Sequence, residues 1–305
     1  MYVYKEANTS NASSKISLFG KKSEVLRGSE QTQVPAEKKK EANVIPAKPM
    51  EAWEQIDAKL GAKGIRAKLL GGLGVKKLSK SARQGELWRP DKDIDMIVKK
   101  EDAPKLKETM LDLGYRYDQD TFMRSFGEKM LFYDDQNKRR VDVLIGKFQM
   151  CFTFSFDLDR SGPLTVTDLF LSKIQNYDQI STNDFKDLIA MLFDFQLTDD
   201  ESGIKRSTIL GKAAENWGLC KTITTNLNRI KGESKAVNPE IADVVNKKAQ
   251  DLLDLIKLQP KSARWKWRAL VARMVGDKYR FYVKVDTDLN NRQLEFRTRK
   301  ELDGE

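Results

Sequence analysis

Apolar and polar positions change period partway along the chain. Trp53, Ile56 and Leu60 recur at helical spacing, which predicts a helix stopped by Gly61 and Gly64. A strand follows over 65–70, then the turn Gly71-Gly72, a helix from about Leu73, a loop with Trp88, Arg89 and Pro90, and a strand over 94–98. A helix over 103–113 ends at Gly114. Strand character returns over 115–117, 122–125, 130–133, 140–145 and 149–156, and the turn composition at Asp134-Asp135-Gln136-Asn137 makes 130–145 a hairpin.

From Pro163 the period turns helical. Thr165 or Thr167 caps a helix through Leu169 and Ile174, and Thr182 or Asn183 starts another through 185–195. Asn238 and Pro239 open a helix over 239–258, striped by Ile241, Val244, Val245, Leu252, Leu253 and Ile256. Ser262 caps a further helix whose apolar line is Trp267, Leu270, Val271 and Met274, with Trp267 expected in the core. The end alternates like a β-hairpin, 279–285 and 293–298 around Asn290-Asn291. The pattern predicts an α+β chain in three parts: a disordered or extended tail over 1–50, a mixed sheet with helices over 51–160, and a mostly helical, basic region over 161–305.

Composition narrows the chemistry. The 305 residues contain no histidine, which removes Ser-His-Asp and Cys-His catalysis and His-ligated zinc. The two cysteines, Cys151 and Cys220, lie too far apart in sequence for a metal motif and read as reduced thiols. No apolar run approaches the roughly 18 residues of a membrane helix and the N-terminus lacks a secretory pattern, so a cytoplasmic protein is expected. The net charge of +10 favours polyanionic partners.

Carboxylates, lysines and bound metal must then carry any reaction. In the strand over 94–98 and the residue before it, Asp93 and Asp95 point to one face while Ile94 and Met96 point to the other. Asp142 stands in a second apolar strand, Arg140-Val141-Asp142-Val143-Leu144, where a carboxylate is costly unless its face is wet or bound to a cation. Neighbouring strands would gather three carboxylates, the set two magnesium ions need (manganese uses the same oxygen donors), beside a Gly-Gly bend with room for phosphate.

These motifs resemble the minimal nucleotidyltransferases with a polymerase-β-like palm, and within them the AbiEii/AbiGii-type toxins. Leu70-Gly71-Gly72-Leu73 matches the apolar-Gly-Gly motif, Arg89-x-x-Lys92-Asp93-Ile94-Asp95 the R-x-x-x-D-[IL]-D motif, and Arg140 to Leu144 the strand of the third carboxylate. Lys173 and the Lys186-Asp187 pair look like the family's later helices, although Asp184 stands where an arginine is usual. The resemblance implies transfer of a nucleoside monophosphate from an NTP to an acceptor hydroxyl. Asp93, Asp95 and Asp142 would be the catalytic metal ligands, and Gly71, Gly72, Arg89, Lys173 and Lys186 the nucleotide and phosphate contacts. It further implies an RNA acceptor, with a tRNA 3′ end as the instance, and a toxin paired with an antitoxin protein. The alternatives are transfer to protein or a small molecule, or a non-catalytic RNA-binding palm. Independently, the interleaved Lys261, Arg264, Trp265 and Arg268 read as a nucleic-acid contact strip, with Trp265 free to stack.

Overall fold

The computed structural model describes residues 44–178 and 180–284. Most of the expected tail therefore lies outside the described residues. Helix α1 (Pro49–Ala62) is followed by strand β1 (Lys68–Leu69), helix α2 (Gly71–Leu78), β2 (Ile94–Val98), α3 (Ala103–Asp112), β3 (Arg116–Asp118), α4 (Gln119–Arg124), β4 (Lys129–Asp134) and β5 (Arg139–Ile145). A small hairpin, β6 (Phe148–Gln149) and β7 (Thr153–Phe154), leads to α5 (Val166–Ile174) and α6 (Thr182–Asp194). The pair β8 (Leu197–Thr198) and β9 (Ile204–Lys205) precedes α7 (Arg206–Glu215), α8 (Trp217–Glu233), α9 (Pro239–Leu258) and α10 (Ala263–Val275).

The main sheet has the order β1-β2-β5-β4-β3, and only β2 and β5 run parallel. Strand alternation sorts its central pair. Ile94, Met96, Val98, Val141, Val143 and Ile145 enter one core with Trp53, Ile56 and Leu60 of α1 and Leu106 and Met110 of α3. The opposite face carries Asp93, Asp95, Arg140 and Asp142, flanked by a second core that joins Leu70, Val75 and Ile97 to α5, α6, α8 and α9. That core crosses residue 160 without a break, so the change there is one of element type.

Several elements differ from the pattern-based expectation. Residues 122–125 belong largely to a helix, because Asp118 Oδ1 accepts the Thr121 N–H at 3.0 Å and caps α4. The stretch 149–156 is two short strands rather than one. Gln175 Oε1 takes the Phe152 N–H at 2.7 Å, removing that donor from any ladder. Helix α6, by contrast, starts at Thr182 as expected, with Ser181 as its cap. Helix α2 starts at Gly71, two residues before the expected Leu73, and its Lys76 is buried with Nζ 2.7 Å from Asp91 Oδ2.

At the C-terminal end, Trp267 is 65% exposed, and it is the half-buried Trp265 that packs on the core. Residues 279–284, the described part of the expected first hairpin arm, form no strand. The Phe281 ring instead lies 5.4 Å from Trp217 and 4.9 Å from Tyr177, and Tyr282 donates to Asp178 at 2.9 Å. The arm over 293–298 lies outside the described residues. None of the helices described is long and apolar enough to cross a membrane.

Candidate active site

The site starts at the edge of the sheet, where β1 ends and α2 begins. Leu70 N–H donates to the Asp95 carbonyl at 2.8 Å, which brings the Gly-Gly bend against β2. Gly71 has φ of 61°, and a Cβ there would stand 2.0 Å from Asp95 Oδ2. At Gly72 a Cβ would stand 1.8 Å from Arg89 Nη2. The two glycines thus make room for a carboxylate and a guanidinium of this chain.

Asp95 and Asp142 are register partners on the parallel strands β2 and β5, so their side chains stand abreast on one face. Asp93, one step before β2, accepts the Arg140 N–H at 3.2 Å and faces Arg140 Nη2 at 2.8 Å. Asp142 forms an ion pair with Lys129 of β4. Among the described residues nothing donates a hydrogen bond to the Asp95 carboxylate. Burial, then the neighbouring Asp142, push its pKa up to about 6, against smaller opposing effects of Lys173 and Lys129.

A cavity of about 500 Å³ opens over this face, lined among others by Gly71, Asp95, Asp142, Lys129, Arg140 and Lys173. Lys173 of α5 pairs with Asp184 at 2.7 Å and Asp187 at 3.0 Å. Burial works against its charge, but the two carboxylates outweigh that and hold its pKa well above the usual ammonium range. Asp184 moves the other way: burial favours its neutral form, but Lys173 and Ser181 hold its pKa below the usual value. Asp184 is also the capping-box residue of α6.

The other predicted site residues lie elsewhere. Arg89 makes a two-pronged pair with buried Asp187 at 3.1 and 2.8 Å, behind Gly72, which ties the loop before β2 to α6. Lys186 donates to the Trp88 carbonyl at 3.3 Å and is absent from the cavity lining. Lys261 reaches the Ile256 carbonyl and lies 5.9 Å from the Trp265 ring. Trp265 packs against the core and is half-buried, whereas Arg264 is exposed and Arg268 partly so.

Sequence reasoning missed Lys129, Arg140 and Asp187. Arg140 was within reach, since it sits two residues before Asp142 and therefore on the same face. Lys129 and Asp187 needed tertiary contacts.

The oxygen donors suit a hard divalent cation on Asp95 and Asp142, because the Asp95 carboxylate is bare and Lys173 and Lys129 only partly offset its burial and the neighbouring Asp142. Asp93 is a third donor only if it leaves Arg140. Among the described residues no group of three or more ligand side chains lies close enough together to hold a metal ion.

No family model matches this sequence, and no curated protein matches it. A similar solved structure is the STING-associated CdnE c-di-GMP synthase from Capnocytophaga granulosa, at 12% identity over 68% of this chain and 79% of that one, with a TM-score of 0.24. A likeness at that score carries no argument about the chemistry of this chain.

Proposed function

We propose that the chain is a nucleotidyltransferase with a polymerase-β-like palm, moving a nucleoside monophosphate from an NTP to an acceptor hydroxyl of RNA. The observation that carries this reading is the side-by-side register of Asp95 and Asp142, with the Asp95 carboxylate bare against the Gly71 bend. In the reaction a bond forms between the acceptor oxygen and the α-phosphorus, the α–β phosphoanhydride breaks, and pyrophosphate leaves. The acceptor proton passes to the carboxylate pair. Magnesium, held by Asp95 and Asp142, would supply charge neutralisation of the triphosphate and Lewis-acid polarisation. Lys173, Lys129 and Arg140 line the same cavity and supply fixed positive charge for phosphate oxygens.

The RNA acceptor is supported by the net charge of +10 and by the exposed Arg264. The toxin role and its antitoxin rest on the sequence resemblance alone, and growth arrest on expression that depends on Asp95 tests them.

The main test incubates the full chain with each α-labelled NTP, magnesium and total RNA. Label that is lost to RNase and absent from Asp95→Ala and Asp142→Ala variants supports the reading. Label lost to protease instead moves the acceptor to protein. No label in any fraction, or equal labelling by the variants, rejects it. The second reading, a non-catalytic RNA-binding palm, draws on the closed pairs Lys129–Asp142 and Arg140–Asp93. Stabilisation by Mg-NTP that survives Asp142→Asn favours it.

A further inference from the structure

The turn between α4 and β4 presents an aromatic ring that the fold does not use. Phe126 is 93% exposed and neighbours Met123, itself 65% exposed. Its backbone is left-handed, with φ of 52°, a region that disfavours bulky side chains. The turn is nevertheless well tied. Phe126 N–H donates to Met123 O at 3.1 Å and Gly127 N–H to Phe122 O at 3.0 Å, the paired bonds of a helix C-cap that ordinarily carries glycine where Phe126 stands. Ser125 Oγ lies 3.0 Å from Phe122 O and accepts the Lys129 N–H at 3.0 Å.

Both costs, strain and exposure, fall on one residue, and no ring among the described residues packs against it. The position bears on the site directly. Thr121, Arg124 and Ser125, the residues just before Phe126, line the same cavity as Asp95 and Asp142, and Lys129 just after it does too. Arg124 is half exposed, its Nε donating to the Asp120 carbonyl at 3.3 Å and its Nη2 3.8 Å from the Asp120 carboxylate. An exposed aromatic ring two residues from a loosely held cation, on a turn whose flanking residues line a cavity with further cations, has the chemistry that holds single-stranded nucleic acid: a ring for a base and a charge for its phosphate.

We propose that Phe126 is a stacking platform for an unpaired base of the RNA acceptor, with Arg124 holding the adjacent phosphate, so that the strand end is fed toward the carboxylate pair. The proposal rests on the nucleotidyltransferase reading for that direction of travel. A protein acceptor would not need the ring, and the test separates the two.

The test measures binding of a fluorescein-labelled, unstructured 12-nucleotide RNA to the full chain by anisotropy, in EDTA so that no transfer occurs. Phe126→Ala and Phe126→Gly are expected to weaken binding roughly 5- to 150-fold, the loss of one base stack, while Phe126→Trp binds like wild type. Phe126→Gly should at the same time melt a few degrees higher, because glycine relieves the left-handed strain. A purely structural residue cannot give higher stability with weaker RNA binding. Unchanged affinity in the Ala and Gly variants, or no RNA binding by wild type, overturns the proposal. RNA binding that depends on Phe126 in a protein that labels nothing sinks the enzyme reading and leaves the platform. RNA labelling with an unchanged KM for RNA in Phe126→Ala does the reverse.

Discussion

Replacing Asp95 by asparagine should make the metal-free protein more stable at neutral pH. The carboxylate is half-buried, stands abreast of Asp142 and receives no hydrogen bond from the described residues. Its pKa rises from 3.8 to about 6 in the fold, first through burial and then through Asp142. A raised folded-state pKa gives a stabilising contribution that is fully present below pH 3.8 and lost as the pH rises through about 6. Above that, ionised Asp95 costs the folded state about 2–3 kcal/mol, from roughly two units at 1.36 kcal/mol each with a discount for water access. Asparagine keeps the shape without the charge. At pH 8 in EDTA, Asp95→Asn should melt roughly 4–12 °C higher than wild type, given about 2–4 °C per kcal/mol for a domain of this size. At pH 4.5 the gap should shrink to roughly a third, because folded Asp95 is then protonated while the same side chain in the unfolded state is still mostly ionised. Magnesium should raise the wild-type midpoint at pH 8 and leave the variant unmoved. Thermal melts followed by circular dichroism decide the matter. A variant that melts at or below wild type at pH 8, or a gap indifferent to pH, would show that the charge of Asp95 does not burden the fold and would remove the physical basis of the cation site.

Three further outcomes come from the same geometry. Asp187→Asn should cost roughly 3–5 kcal/mol in urea unfolding, because the largely buried Arg89 loses the carboxylate that it grips with two bonds while Lys173 keeps only Asp184; a loss below about 1 kcal/mol would mean that the Arg89–Asp187 pair is solvent-screened. Gly71→Ala should destabilise by about 1–2 kcal/mol through its left-handed backbone, and it should abolish the magnesium-induced shift by displacing Asp95 Oδ2; a retained shift contradicts the cradle. Acrylamide should quench the exposed Trp267 strongly, and Trp267→Phe should leave the unfolding midpoint within about 0.5 kcal/mol of wild type, whereas Trp265→Phe should lower it.

The period-2 and period-3.6 patterns of residues 50–195 determined most of the helices and strands of this region before any contact was known. Strand β2 and helix α9 have the expected limits, because each is bounded by its own local chemistry: a charged loop before Ile94, and Asn238 with Pro239 at the helix start. The alternation also put Asp93 and Asp95 on one face by backbone geometry alone. Local order failed where partners far along the chain compete for the backbone. Gln175 took a donor from the stretch read as one strand, and a single aspartate cap turned 122–125 into helix. On α10 the local pattern pointed Trp267 inward, yet helix packing left it in water and chose Trp265, because an amphipathic stripe does not say which neighbour will cover it. The site divides in the same way. The sequence by itself determined which carboxylates were available and that no histidine could assist them. Only the tertiary structure decided that Asp95 and Asp142 stand abreast, that Arg140 and Lys129 hold Asp93 and Asp142, and that Arg89 serves Asp187, because strand register and ion-pair partners are set by contacts tens of residues apart.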